Sequence, residues 1–260
     1  MPLKILVVNP NSTAAMTAAL EPLISSLDLH DLAITYFTAP LPSPPSINDH
    51  ATSLISTEVC LPILSAQLNS YDAFLIACYS EHTLVPRLRT EISRRSLADR
   101  KFVMGIFEAS ILHAVSLVDS YVHNGSQEPN RWGIVSTGKV WEESLTVGVE
   151  RFLGIKRELG IGKFAGVVTT GLNATELHDF PKEEVDRRMK EAVRKLLSPT
   201  DGCGKVTAVC LGCAGMVGLE ETVHEVGREL GYKGGELRVV DGVKAGVLML
   251  EGLLKGKYNK

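Results

Sequence analysis

The sequence predicts an α/β protein of two pseudo-symmetric domains, each a mostly parallel sheet with helices on both faces and the active site in the cleft between them. Three observations carry this. Apolar, β-branched runs alternate with helical stretches along the whole chain. The pattern restarts midway, because "LKILVVN" and "RWGIVST" each open a half and each run into a short polar loop. Each half then places a cysteine after a later strand, Cys78 in "AFLIACYS" and Cys213 in "KVTAVCLGC".

In the first half, "LKILVVN" is continuous and apolar, as a strand covered on both faces must be. Asn9, Pro10 and Asn11 end it, and Ser12 or Thr13 can cap a helix over 14–26. "LAITYFTA" follows as a strand and "PLPSPP" as a loop, since its prolines fit neither helix interior nor central strand. Residues 51–68 read as a helix that Pro62 kinks or restarts, followed by the strands "AFLIACYS" and "KFVMGIF".

In the second half, "RWGIVST" leads to a helix from Trp141 to Phe152, and "KFAGVVTT" is the next strand. Asp179 and Pro181 open a helix whose apolar positions Val185, Met189, Val193 and Leu196 recur every three or four residues. "KVTAVCLGC" is another buried strand. "ELRVVDG" and "VKAGVLMLEGLL" then close the chain as strand and helix. With no further repeat to join, they are expected to return to the first sheet. The expected domains are 1–106 plus 233–260, and 107–232.

A chain of 260 residues with 45% hydrophobic and 22% charged residues has the composition of a globular protein. A net charge of −3 gives no reason to expect nucleic acid or an anionic membrane as partner. No run approaches the ~18 apolar residues of a membrane span. The opening apolar run is too short for a signal peptide, so a cytoplasmic location is expected. The five cysteines are an odd number, and disulfides are not expected in a reducing compartment.

Taken singly, Cys60 and Cys210 lie in apolar stretches and read as core, and Cys203 in "TDGCGK" reads as a loop thiol. Cys78 and Cys213 differ because small or polar residues follow them, in "CYSEHT" and "CAGM". Open α/β sheets bind ligands beyond the carboxyl ends of their strands, and two halves packed face to face would set these thiols on opposite walls. "CLGC" has no second pair to complete a zinc site, and the histidines form no H-E-x-x-H pattern, so no metal is expected. His82, four residues past Cys78, is the histidine nearest the proposed site. Neither G-x-x-x-x-G-K-[ST] nor G-x-G-x-x-G occurs, so there is no phosphate cradle to assign to a nucleotide cofactor.

"VVNPNST", "MGIFEAS", "LGCAGM" and "VVDGVKAG", in that order, resemble the hydantoin/allantoin racemase branch of the aspartate/glutamate racemase superfamily, over nearly the whole chain. The resemblance implies two pseudo-symmetric α/β domains, no cofactor, and a pair of catalytic cysteines, here Cys78 and Cys213. One departure stands out. Bacterial members follow the first cysteine with a Gly-Asp-Pro-Gly-like turn, where this chain has Tyr79-Ser80-Glu81-His82. That loop borders the site, so the departure bears on substrate choice.

Racemisation beside a carbonyl takes a proton from one face and returns one to the other, which two thiols can do if one is ionised and the other is not. A hydantoin ring suits this, because its C5 enolate places charge on a ring oxygen that backbone N–H groups can receive. The expected substrate contacts are Asn9, Asn11 and Ser12; Tyr79 and Ser80; Ser136 and Thr137; and Ala214 and Gly215. His82 and Glu108 are expected to support the thiols from behind. The function expected is racemisation of 5-substituted hydantoins, most of all allantoin. The alternatives are a maleate-type cis-trans isomerase and a non-catalytic ureide- or amino-acid-binding protein. The expected partner is a small molecule, with homo-oligomerisation left open.

Overall fold

A computed structural model describes residues 2–97, 101–118, 130–155, 162–198 and 204–256. Cys203 lies outside them. The chain divides into two compact units, Met1–Ala109 with Gly242–Lys260, and Ser110–Asp241.

The first unit holds a parallel sheet of β1 (Leu3–Asn9), β2 (Leu32–Thr38), β3 (Ala73–Ile76) and β4 (Phe102–Gly105), in the order β2-β1-β3-β4. The two central strands explain the apolar runs, since Ile5 to Val8 and all of β3 are buried. Edge strand β2 is only partly buried. The connecting helices are α1 (Ala14–Ser25), α2 (His50–Ala66) and α3 (Leu84–Arg94). Asp49 starts α2 with a capping box, its carboxylate accepting from the Thr52 N–H at 2.8 Å while the Thr52 hydroxyl accepts from the Asp49 N–H. Of the two outcomes expected at Pro62, a restart does not occur, and α2 runs on through it to Ala66. The Thr13 side chain also does not cap α1. Its hydroxyl donates to Pro45 O, and Asn11 Oδ1 accepts the Thr13 N–H instead.

The second unit repeats the plan with β5 (Arg131–Ser136), β6 (Phe164–Thr169), β7 (Val206–Gly212) and β8 (Arg238–Asp241), in the order β6-β5-β7-β8, again all parallel. Its helices are α5 (Trp141–Leu153), the short α6 (Glu176–Asp179), α7 (Lys182–Leu197) and α8 (Glu220–Glu229). The periodic positions of α7 are buried, packed with Val209, Leu211 and Val223 in one apolar cluster.

The placement of "LRVVDG" corrects the sequence reading. Val239 and Val240 pair with Val209 and Cys210 of β7, in the second sheet and not the first. The repeat itself supplies the reason. The first half has four strands, and the second needs a fourth beside β7; a strand that follows β7 and α8 joins that edge by the ordinary crossover. The return to the first unit therefore falls at Gly242, and helix α9 (Gly242–Gly256) makes it without the strand. Gly246 lets α9 lie close on the sheet, because a methyl group there would sit 2.4 Å from Leu75 Cδ1.

The other crossing element is α4 (Ile106–Leu117), within which the division between units falls. It starts directly from β4 as α9 starts from β8, so the two helices are counterparts. They meet at their first residues, where a Cβ on Gly242 would come within 2.8 Å of Ile106 O.

Candidate active site

In a sheet of order 2-1-3-4 the connections leave β1 and β3 toward opposite sides, and this switch point is where open α/β sheets form their crevice. In the first unit it lies between the carboxyl ends of β1 and β3, the places of the Asn9–Asn11 loop and Cys78. In the second it lies between β5 and β7, the places of Ser136–Thr137 and Cys213. Each unit thus brings one polar loop and one thiol to the position where its topology favours a ligand.

Cys78 sits two residues beyond β3 in a tight turn. Ser80 N–H donates to Cys78 O at 3.0 Å and His82 N–H to Ser80 O at 2.7 Å, two γ-type closures in succession. Ser80 Oγ lies 3.4 Å from Cys78 Sγ. The Tyr79 ring is buried edge-on against Phe107, with centroids 5.5 Å apart. Tyr79 therefore anchors the turn by packing, while Ser80 reaches the sulfur.

Cys213 follows β7 in extended conformation and opens a 3₁₀ turn, Ala214–Met216. Its Sγ accepts the Gly215 N–H at 3.3 Å, and its carbonyl accepts the Met216 N–H. Gly212 brings the strands close here, since a Cβ would fall 2.7 Å from that of Ser136, whose hydroxyl donates to Gly212 O at 2.7 Å. Burial pushes the Cys213 thiol up to about 11, and the Gly215 N–H opposes only part of this. Cys213 is therefore a neutral thiol near pH 7.

The two remaining described cysteines behave differently. Cys60 and Cys210 are fully buried, whereas Cys78 and Cys213 are partly exposed. Burial also raises the Cys60 thiol to about 11.

The polar loops divide into groups that build and groups with capacity left. Asn9 Nδ2 donates toward Asn11 Oδ1, Thr13 O and Thr17 Oγ1, and its Oδ1 accepts the Asn11 N–H. Asn9 is thus committed to shaping the turn. Asn11 Oδ1 is engaged likewise, but among the described residues its Nδ2 meets only the Met16 sulfur, a weak acceptor. Ser136 is buried and spends its hydroxyl proton on Gly212 O, and buried Thr137 uses its carbonyl to accept the Gly171 N–H.

Sequence reasoning missed a set of buried hydroxyls that hold this loop from below. Ser43 and Ser56 both donate to Pro10 O, at 2.7 and 2.5 Å, and Thr57 Oγ1 lies 2.7 Å from Thr83 Oγ1, next to the His82 turn. The signal was available: Ser53, Ser56 and Thr57 recur at helical spacing, a polar stripe on the inward face of α2.

His82 is 1% exposed. Its Nδ1 accepts the Leu84 N–H at the start of α3, which leaves the proton on Nε2, a buried atom with no partner among the described residues. Desolvation lowers it to about 3, so the ring stays neutral at working pH. Glu108, in the first turn of α4, likewise has a buried and unpartnered Oε2.

These features can be compared with known proteins. A family profile described as Asp/Glu/Hydantoin racemase matches residues 5–250. An uncharacterized protein of Schizosaccharomyces pombe is 32% identical over 253 residues, 97% of this chain and 92% of the relative. A hydantoin racemase of Pseudomonas sp. is 28% identical over 250 residues, 96% and 85% of the two chains. Among solved structures, allantoin racemase from Klebsiella pneumoniae aligns with a TM-score of 0.71 at 24% identity, covering 97% of this chain and 88% of that one, a likeness of fold. With the match extending through both units and across both strand-end cysteines, the chain belongs to the Asp/Glu/Hydantoin racemase family, an isomerase family.

Proposed function

We propose that this protein is a cofactor-independent racemase of 5-substituted hydantoins, with allantoin the best candidate substrate, and that Cys78 and Cys213 act on opposite faces of C5. One observation carries the reading: each repeat puts one cysteine, partly exposed as a residue, beside its sheet's switch point, while Cys60 and Cys210 are sealed in the core.

The reaction needs one sulfur as base and one as acid. Cys213 enters as the acid, because its neutral form is the stable one. Cys78 as thiolate takes the C5 proton, and the electron pair moves through C5 and C4 onto the ring oxygen. Cys213 then gives its S–H proton to the other face, the pair returns to C5, and the charge ends on the Cys213 sulfur. Exchange of protons with solvent restores the starting state. Asn11 Nδ2, Ser12 and the backbone about Ala214–Gly215 are the groups proposed to meet the ring's oxygens; Asn9, Ser136, Thr137 and Tyr79 hold those groups in place.

The test is to incubate one enantiomer of a 5-substituted hydantoin with the protein in D₂O, without added cofactor. Loss of optical rotation with deuterium at C5 is expected. Conversion of maleate to fumarate without hydantoin exchange would replace the reading with a cis-trans isomerase. Ligand binding with neither reaction would replace it with a binding protein.

A further inference from the structure

The turn Tyr79 to His82 packs at its first residue against the first turn of α4. Phe107 takes the Tyr79 ring edge-on. Glu108, the next residue, turns its carboxyl back over the end of β4. Its Oε2 lies so near Gly105 that a Cβ there would be 2.1 Å away, and Val85 Cγ2 borders the same notch at 3.3 Å. Val85 in turn closes the thiol's turn, its N–H donating to His82 O at 3.0 Å. Gly105 pairs with Ile76, two residues before Cys78. The notch is therefore level with the root of the Cys78 turn.

Charge placement agrees with the contacts. Burial raises the Glu108 carboxyl; its own N–H and the Arg89 guanidinium oppose this, and the Glu81 carboxylate, from within the turn, adds to it. Arg89 is tied to β4 by two hydrogen bonds to Val103 O, at 3.0 and 2.7 Å. Glu108 thus sits between the strand that Arg89 clamps and the turn that carries the thiol. A glutamate kept in a glycine notch with a buried oxygen that has no partner among the described residues is a costly choice for packing, where an apolar residue would serve.

We propose that Glu108 is a positioning residue for Cys78: seated in the Gly105 notch, it fixes the 78–85 turn so that this sulfur, and not Cys213, stands at its reacting distance. The proposal rests on the two-thiol reading above. It assigns Glu108 to one half of a reaction whose halves can be read separately, because each thiol exchanges the C5 proton of a different enantiomer.

The experiment measures C5 deuterium exchange of each hydantoin enantiomer with Glu108→Ala, Glu108→Gln, Gly105→Ala and Cys78→Ser. Expected is a loss of about 100-fold in the Cys78-dependent exchange for Glu108→Ala and Gly105→Ala, as a displaced group produces. The other enantiomer's exchange should fall no further than it does in Cys78→Ser, giving the same one-sided pattern. Glu108→Gln, which fills the notch with the same shape, should stay within about threefold of the parent, since a conservative shape costs little of the positioning term. If Glu108→Ala does not fold, Gly105→Ala and Glu108→Asp carry the same comparison. Loss on both enantiomers alike, or on neither, in folded variants overturns the proposal when Cys78→Ser is one-sided. If Cys78→Ser itself racemises normally, the two-thiol reading falls first and this one with it.

Discussion

The difference between Cys213 and an ordinary cysteine can be measured directly. Its thiol is pushed from 9.0 to about 11, chiefly by burial. At pH 7.5 this lowers the thiolate fraction about 100-fold, from about 3% to about 0.03%. A more basic sulfur is also more nucleophilic, by about 0.4–0.5 log units per pKa unit, which restores a factor of about eight. Carboxamidomethylation of Cys213 by iodoacetamide should thus run about tenfold slower than at a free cysteine, before any loss of access is counted. Peptide mass spectrometry across pH 7 to 11.5 follows it. The rate at Cys213 should climb about tenfold per pH unit and level only near 11, and a substrate-like hydantoin should slow it. A plateau already at pH 9, or full reaction at neutral pH, would refute the assignment of Cys213 as resting acid.

Two further outcomes test the scaffold. Gly246→Ala should destabilise the first unit by about 1–3 kcal/mol in urea unfolding, because the methyl would lie 2.4 and 3.1 Å from the two δ carbons of fully buried Leu75; the gain in helix propensity is at most about 1 kcal/mol. An unchanged or raised midpoint would mean that α9 does not lie against β3. For pH, the Cys60 thiol is raised in the fold from 9.0 to about 11, so the unfolded chain holds fewer protons between those values and stability falls as pH rises through them. The loss is about 3 kcal/mol, complete above pH 11 and absent below pH 8. Cys60→Ala should remove this share and leave the like one that Cys213, raised in the same way, contributes; a midpoint as pH-dependent in that variant as in the parent would exclude Cys60 as a source.

Much of this was legible from the chain. Strands covered on both faces of a parallel sheet are mostly apolar, so β1, β3, β5 and β7 announce themselves as near-continuous apolar runs. The strand-end thiols stand out because the repeat presents the same feature twice. The errors came where short-range rules met longer-range packing. "RVVD" is four residues long with an exposed arginine, too brief to reveal its sheet, and only the count of strands per half assigns it. Asn9 and Asn11 look alike in sequence, yet one is consumed by the turn and the other keeps a donor, a difference that depends on Thr17 and Met16 across α1. Glu108 reads in sequence as a support for the thiols, but only the Gly105 notch shows that its carboxyl faces back over the strand.

The central claim is that two thiols divide one reaction. The measurement that tests it most directly is C5 deuterium uptake from D₂O, followed for each hydantoin enantiomer with the parent protein, Cys78→Ser and Cys213→Ser. The account predicts that the parent exchanges and racemises both enantiomers. Each variant should racemise neither, and the two should keep slow exchange on opposite enantiomers. Racemisation at the parental rate by either folded single variant, or residual exchange on the same enantiomer in both, would contradict it.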